Sequence, residues 1–263
     1  MLPHTSAIDV VPLWAVFIGS VVCILVAVEV GYRIGRWRQR AEHEKEGPVG
    51  GMVAAELGLL AFLLAITFSL AASRFDDRRT IVLDEANAIG TCYLRAAMLP
   101  QEHRDAVRRS LREYVDVRLA AMRDGSVAEA IRRSDELHGV LWTHATAAAE
   151  KDPRSVQVGL FVQSLNDVID LHAKRLQASL RSRLPVTIWA ALFAVAMLSF
   201  TAMGYHEGLS SGTRRSPAVL AVTLGFAIVI WLVADLERPH QGVLRVSQQP
   251  LVDLQNSMAA DGK

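Results

Sequence analysis

The sequence predicts an all-α integral membrane protein, with four transmembrane helices in two pairs and a helical bundle inserted between the pairs. Three observations predict it. Mean hydropathy is +0.25 over the 263 residues, higher than a water-soluble domain of this size carries. Apolar residues make up 51% of the chain and gather in four blocks, each of a length that crosses a hydrocarbon core. Between the second and third blocks the chain is as charged as a soluble protein, and its apolar residues recur at three- and four-residue steps.

The first span covers about 12–31 (PLWAVFIGSVVCILVAVEVG), enough at the helical rise to reach across a bilayer. A cleaved leader would need a basic segment before it and a small-residue site after it. The span leads instead into Arg33, Arg36, Arg38 and Arg40, a stop-transfer flank, with Trp14 and Trp37 as interfacial anchors. The second span covers about 52–72, the third about 185–205 and the fourth about 217–234, with Trp231 near its end. Pro185 and Pro217 suit a first helical turn, where the missing N–H is no loss.

The expected division is therefore a first transmembrane pair (1–72), an extramembrane domain (73–184), a second pair (185–236) and an irregular tail (237–263). Breaks at Leu99–Pro100, Asp124–Gly125 and Asp152–Pro153 cut the domain into helices over about 74–98, 101–123, 126–150 and 154–184. The first continues out of span two without a breaker, and the last runs up to Pro185.

Several function classes drop out. A net charge of +1 offers no electrostatic footprint for nucleic acid. Cys23 and Cys92 lie in different environments, so neither a disulfide nor a thiolate zinc site is expected. There is no glycine-rich phosphate loop, no HExxH and no nucleophile elbow, so no enzyme, cofactor or metal is expected. His138 and His144 are six residues apart, a poor spacing for one helical metal site, and read as surface or packing residues.

The candidate functional residues lie on and after span two. Glu56, Leu60, Leu63, Thr67, Arg74 and Arg78 share one helical sector, which reads as a wetted face; the alternative is an interfacial Glu56 snorkelling to the headgroups. Ala61, Ala65, Ser69 and Ser73 recur at four-residue steps roughly opposite, a stripe suited to close helix packing. Gly31 and Gly35 make a weaker signal of the same kind, because they straddle the end of span one. Glu29 and Arg33 suit an i,i+4 ion pair. Arg74, Arg78 and Arg79 cluster where span two leaves the membrane, and Asp235 and Glu237 emerge from span four on the same side. These groups read either as an ion-pair lock, with Arg74–Asp235 the leading pair, or as separate interfacial charges that bind lipid phosphates. Asp84 and Glu85 lie further along, and Glu85 shares a face with Arg78, a spacing suited to pairing across subunits.

The run GLLAFLLAITFSLAASRFDDRR, then DEANAIGTCYLRA, then DLERPHQG and VSQQPL, resembles the bacterial bestrophin-like family, a domain of unknown function. The resemblance covers nearly the whole chain. In layout the chain is also distantly similar to true bestrophins: pentameric anion channels with two spans, a helical cytosolic domain and two more spans. That resemblance implies a second span lining an apolar neck, for which Phe62, Ile66 and Leu70 supply a four-residue ladder. No counterpart of the bestrophins' acidic calcium cluster is present.

The expected function is an oligomeric ion channel or channel-like protein of the bacterial inner membrane. The alternative is a non-conducting scaffold or sensor whose helical domain binds a partner. The expected partners are the lipid bilayer, further copies of the chain and a small ion. Orientation is split. The first loop carries Arg33, Arg36, Arg38, Arg40 and Lys45, which places that loop in the cytoplasm. Arg74, Arg78, Arg79, Lys174, Arg175, Arg181 and Arg183 on the domain side, and the bestrophin layout, place the domain there instead.

Overall fold

The computed structural model describes residues 11–42, 49–181, 184–210, 217–238 and 242–261; Lys45 and Arg183 lie outside them. The described residues form helices and connecting turns, with no strand among them. In chain order these are α1 (Leu13–Glu42), α2 (Val49–Ala96), α3 (Gln101–Asp124), α4 (Val127–Lys151), α5 (Val156–Leu176), α6 (Val186–Leu209), α7 (Pro217–Leu236) and α8 (Gln249–Ala260). Among the described residues, four helices are long and apolar enough to cross a membrane: α1, α2, α6 and α7. The chain divides into two compact units. The first holds Met1–Phe75 and Arg183–Arg245, and the second Asp76–Ser182 and Val246–Lys263.

In the first unit the interior is aliphatic and aromatic. Ile24 and Val28 of α1, Leu60 and Leu64 of α2, Leu192 and Phe200 of α6, and Ile230 and Val233 of α7 are buried together. Phe200 meets Phe226 edge-on at 5.3 Å between centroids. Facing outward are equally apolar residues, among them Ile18, Val22, Phe62, Leu198 and Ile228. A water-soluble bundle would carry charges there; lipid solvates these side chains at no cost.

The closest helix approach in this unit is between α1 and α6, and glycine makes it possible. A Cβ on Gly31 would lie 1.9 Å from the Thr201 carbonyl oxygen, and one on Gly204 would lie 2.0 Å from that of Val28. Gly35 and Gly208 repeat the arrangement one turn on, against Tyr205 and Tyr32. The pair Gly31 and Gly35, the weaker signal in the sequence, is therefore half of the tightest crossing, and Gly204 and Gly208 are the other half.

In the second unit the helices are amphipathic. Val107, Leu111, Tyr114 and Val115 of α3 pack against Leu137 and Leu141 of α4, Phe161 and Leu165 of α5, and Ile89 and Cys92 of α2. Gly125 ends α3 at φ 71°, a left-handed cap that returns its N–H to the Ala121 carbonyl. Ser155 caps α5 by accepting from Val158 N–H at 3.3 Å. After Leu176, α5 widens into a π-helical turn, Gln177–Arg181.

One expectation changes here, and one is met. The chain after span four is not irregular throughout, since Gln249–Ala260 is a helix with Leu251 and Met258 buried in the second unit's core. The helix expected over about 74–98 is the second half of α2, which is continuous from Val49 to Ala96.

Candidate functional site

Span two presents two unlike faces. Leu60, Leu64, Thr67 and Ala71 are buried within the protomer. Ala61, Ala65, Ser69 and Ser73 are exposed, as are Phe62 (62%), Ile66 (43%) and Leu70 (43%). The small stripe and the apolar ladder thus lie on one outward half of the helix. The acid–hydroxyl–guanidinium sector is the inward half, which corrects the wetted-face reading. Thr67 is spent on its own helix, donating to the Leu63 carbonyl at 2.8 Å. Glu56 is half-buried, and its backbone carbonyl accepts from Ser199 at 3.5 Å.

At the far end of the span, carboxylates organise the exit of the first unit. Asp235 is fully buried, and its two oxygens accept from Val243 N–H (2.7 Å) and Leu244 N–H (3.0 Å). A Cβ on Gly242 would lie 2.7 Å from Asp235 Oδ1, so the chain folds back on this carboxylate only with glycine there. Glu237 accepts from Leu184 N–H at 2.7 Å and pairs with Arg74 at 3.4 Å. The arginine–acid contact between spans two and four is therefore Arg74–Glu237 rather than Arg74–Asp235. Asp235 instead accepts from two backbone donors, one on each oxygen.

The second unit holds a buried polar cluster that sequence patterning alone does not assemble. Glu85 of α2 has no solvent exposure. Arg118 of α3 reaches it through Nε at 3.1 Å and Nη2 at 3.3 Å, and Arg175 of α5 through Nε at 3.3 Å. Tyr114 donates to Glu85 Oε1 at 3.0 Å and lies 3.1 Å from His172 Nδ1. Arg175 Nη2 also faces that nitrogen at 3.3 Å. His172 Nε2 lies 3.7 Å from Asp135. His138 completes the group, edge-on to His172 at 4.9 Å.

Burial and charge act in opposition here. Burial raises the Glu85 carboxyl, but the charges of Arg118 and Arg175 and the bonds from Arg118 and Tyr114 outweigh it and hold the group below the ordinary carboxylate range. Burial, with Arg175 and His138 beside it, pushes His172 down to about 3, so it is neutral at physiological pH. Burial lowers Arg175 to about 10 against the pull of Glu85, which leaves it charged. Pairing of Glu85 across subunits is thus corrected, since its partners are in its own unit and no face of it is open. Of the remaining charges singled out in the sequence, Arg78 is buried, Asp84 half-buried and Arg79 exposed.

A sequence signal for this cluster exists. The apolar positions Val107, Leu111, Tyr114 and Val115 step onto Arg118, and Leu165, Val168 and Ile169 step onto His172 and Arg175. Polar residues in register with a core stripe are buried polar residues.

A family model, the Bestrophin-like domain, matches residues 14–251. Among solved structures, an isoleucine-to-threonine variant of a bacterial bestrophin homolog from Klebsiella pneumoniae aligns at 15% identity and a TM-score of 0.65, covering 94% of this chain and 96% of that one. A tyrosine-to-alanine variant of the same homolog aligns at 14% identity and 0.66, covering 93% and 97%. A structure described as a membrane protein, a proline-to-alanine variant, aligns at 17% identity and 0.60, covering 92% and 94%. At these identities the likeness is one of fold. Comparison with curated proteins finds no match.

Proposed function

The chain belongs to the bestrophin-like family, and on that premise we propose that it is an oligomeric ion channel or channel-like protein of the bacterial inner membrane, with the outward half of span two turned to the axis. The observation that carries this reading is the make-up of that half. A helix face meant for lipid alone is bulky throughout. Here Ala61, Ala65, Ser69 and Ser73 are small and evenly spaced, which suits close approach of a second copy. Phe62, Ile66 and Leu70 stand beside them and would form stacked apolar rings in a symmetric assembly. Apolar constrictions of that kind gate ions by dewetting. Glu56 and Thr67 are on the inward half, Glu56 half-buried and Thr67 bonded to its own helix, and in this reading they are not at the axis.

Planar-bilayer recording of purified protein tests the proposal. Wild type should conduct a small ion, and Phe62→Ala should raise the conductance by widening the narrowest ring. Silence from both, with intact oligomers, would leave the non-conducting scaffold as the reading.

A further inference from the structure

We propose that His103 and His144 form a two-histidine site for a divalent transition-metal ion, of the zinc, nickel and copper class, joining α3 to α4 in the second unit. The two Nδ1 atoms face each other at 3.2 Å, with the rings edge-on at 5.5 Å and 63°. Two imidazole nitrogens bound to one tetrahedral ion, each about 2.0–2.1 Å from it, stand about 3.3–3.4 Å apart. The observed separation is close to that value; without an ion the same distance is spanned by a hydrogen bond between the rings. Both rings are half-buried, so an ion can reach them from solvent.

One carboxylate lies beside the pair. Glu102 Oε1 lies 3.4 Å from His103 Nε2. In the tautomer with its proton on Nε2, on the side of that carboxylate, His103 presents its Nδ1 lone pair, as ligand rings do in carboxylate–histidine–metal arrangements. Lys151 bonds the same carboxylate oxygen and fixes it in place. The other close histidine pair, His138 and His172, is unsuitable, because Arg175 sits against His172 and repels a cation. No group of three or more His, Cys, Asp or Glu among the described residues forms a metal site. The site therefore has two protein ligands, and water takes the remaining positions. Imidazole donors suit zinc, nickel and copper rather than calcium or magnesium.

The reading is independent of conduction and is tested on the full-length protein in detergent, with any purification tag removed. Micromolar Zn(II) should raise the melting temperature of wild type, reversibly with a chelator, and neither His103→Gln nor His144→Gln should respond. Cu(II) bound to wild type should give an electron paramagnetic resonance spectrum with two nitrogen ligands, reduced to one in His144→Gln. Glu102→Gln leaves both ligands in place and should weaken binding about tenfold. No Zn(II) shift in wild type, which is the result for a simple hydrogen-bonded pair, overturns the site. So does a shift that survives in both histidine variants.

Discussion

Glu85 shows how much a single buried residue can decide. Its carboxylate stands between two guanidiniums, closed off from solvent. Removing one partner from such a group strands charge in a medium that cannot solvate it, which costs about 3–5 kcal/mol. Arg118→Ala should therefore lower stability by that amount in chemical denaturation, while Arg79→Ala, at an exposed position, should change it by less than about 0.5 kcal/mol. Equal effects of the two would mean that the cluster is hydrated. The same logic applies to Glu237, whose side chain is 6% exposed while that of Arg74 is 27% exposed. Glu237 also carries the Leu184 N–H, so Glu237→Ala should cost more than Arg74→Ala. A double-mutant cycle on Arg74 and Glu237 should show coupling of about 0.5–3 kcal/mol. The cycle on Arg74 and Asp235 should show weaker coupling, because the direct contact of Arg74 is with Glu237 while Asp235 binds backbone donors.

At the scale of elements, two packing devices divide the work among the spans. The α1–α6 crossing is internal to the protomer and has no room for a methyl group, since the atoms in the way are backbone. Gly204→Ala should therefore reduce recovery of folded protein as judged by a monodisperse size-exclusion peak. The α2 stripe faces out of the protomer, so Ala65→Leu should spare the protomer's fold and instead shift the peak to smaller assemblies. If Ala65→Leu leaves assembly size unchanged, the stripe is a lipid face. The spans and the helices of the bundle are legible in the sequence because hydropathy and period are local properties. The stretch from Ala61 to Ser73 can be read as a stripe for the same reason. Gly204 and Gly208 cannot, because their meaning depends on register against Gly31 and Gly35, which only tertiary structure sets. α8 is equally hard to read, because its apolar positions, Leu251, Val252, Leu254 and Met258, are few and follow a proline. Its helix is held by packing, with Leu254 against Gly90 and Gln255 bonded to Asp116, more than by propensity.

At the scale of the whole molecule, the two units are stabilised by different physics, and this predicts how stability varies with pH. The described interior of the first unit is mainly apolar. The second unit buries groups that titrate, and these resist a change of charge in the folded state. Burial lowers His138 from 6.5, against the opposing pull of Asp135 and Glu85, and carries His172 from 6.5 to about 3. Below pH 6.5 the unfolded chain takes up protons that the folded one refuses, so stability falls as pH falls. His172, whose folded value is far below the unfolded one, contributes a slope approaching about 1.4 kcal/mol per pH unit between the two values, and His138 acts in the same sense. Glu85 acts in the same sense at lower pH: its folded-state value is depressed, so its contribution is present above 4.5 and is lost as pH falls through that range. On the alkaline side, burial pushes Cys92 from 9.0 to about 12 and raises Tyr114 from 10.0. These groups stay protonated in the fold after the unfolded chain has ionised, so stability declines above about pH 9. Thermal melts of purified protein across pH should show a plateau between about 6.5 and 9, with a fall on both sides. His172→Gln removes one titrating group and leaves a hydrogen-bonding side chain, so its acid limb should be shallower than that of wild type even if its plateau is lower. An acid limb of unchanged slope in His172→Gln would show that other groups carry the proton uptake.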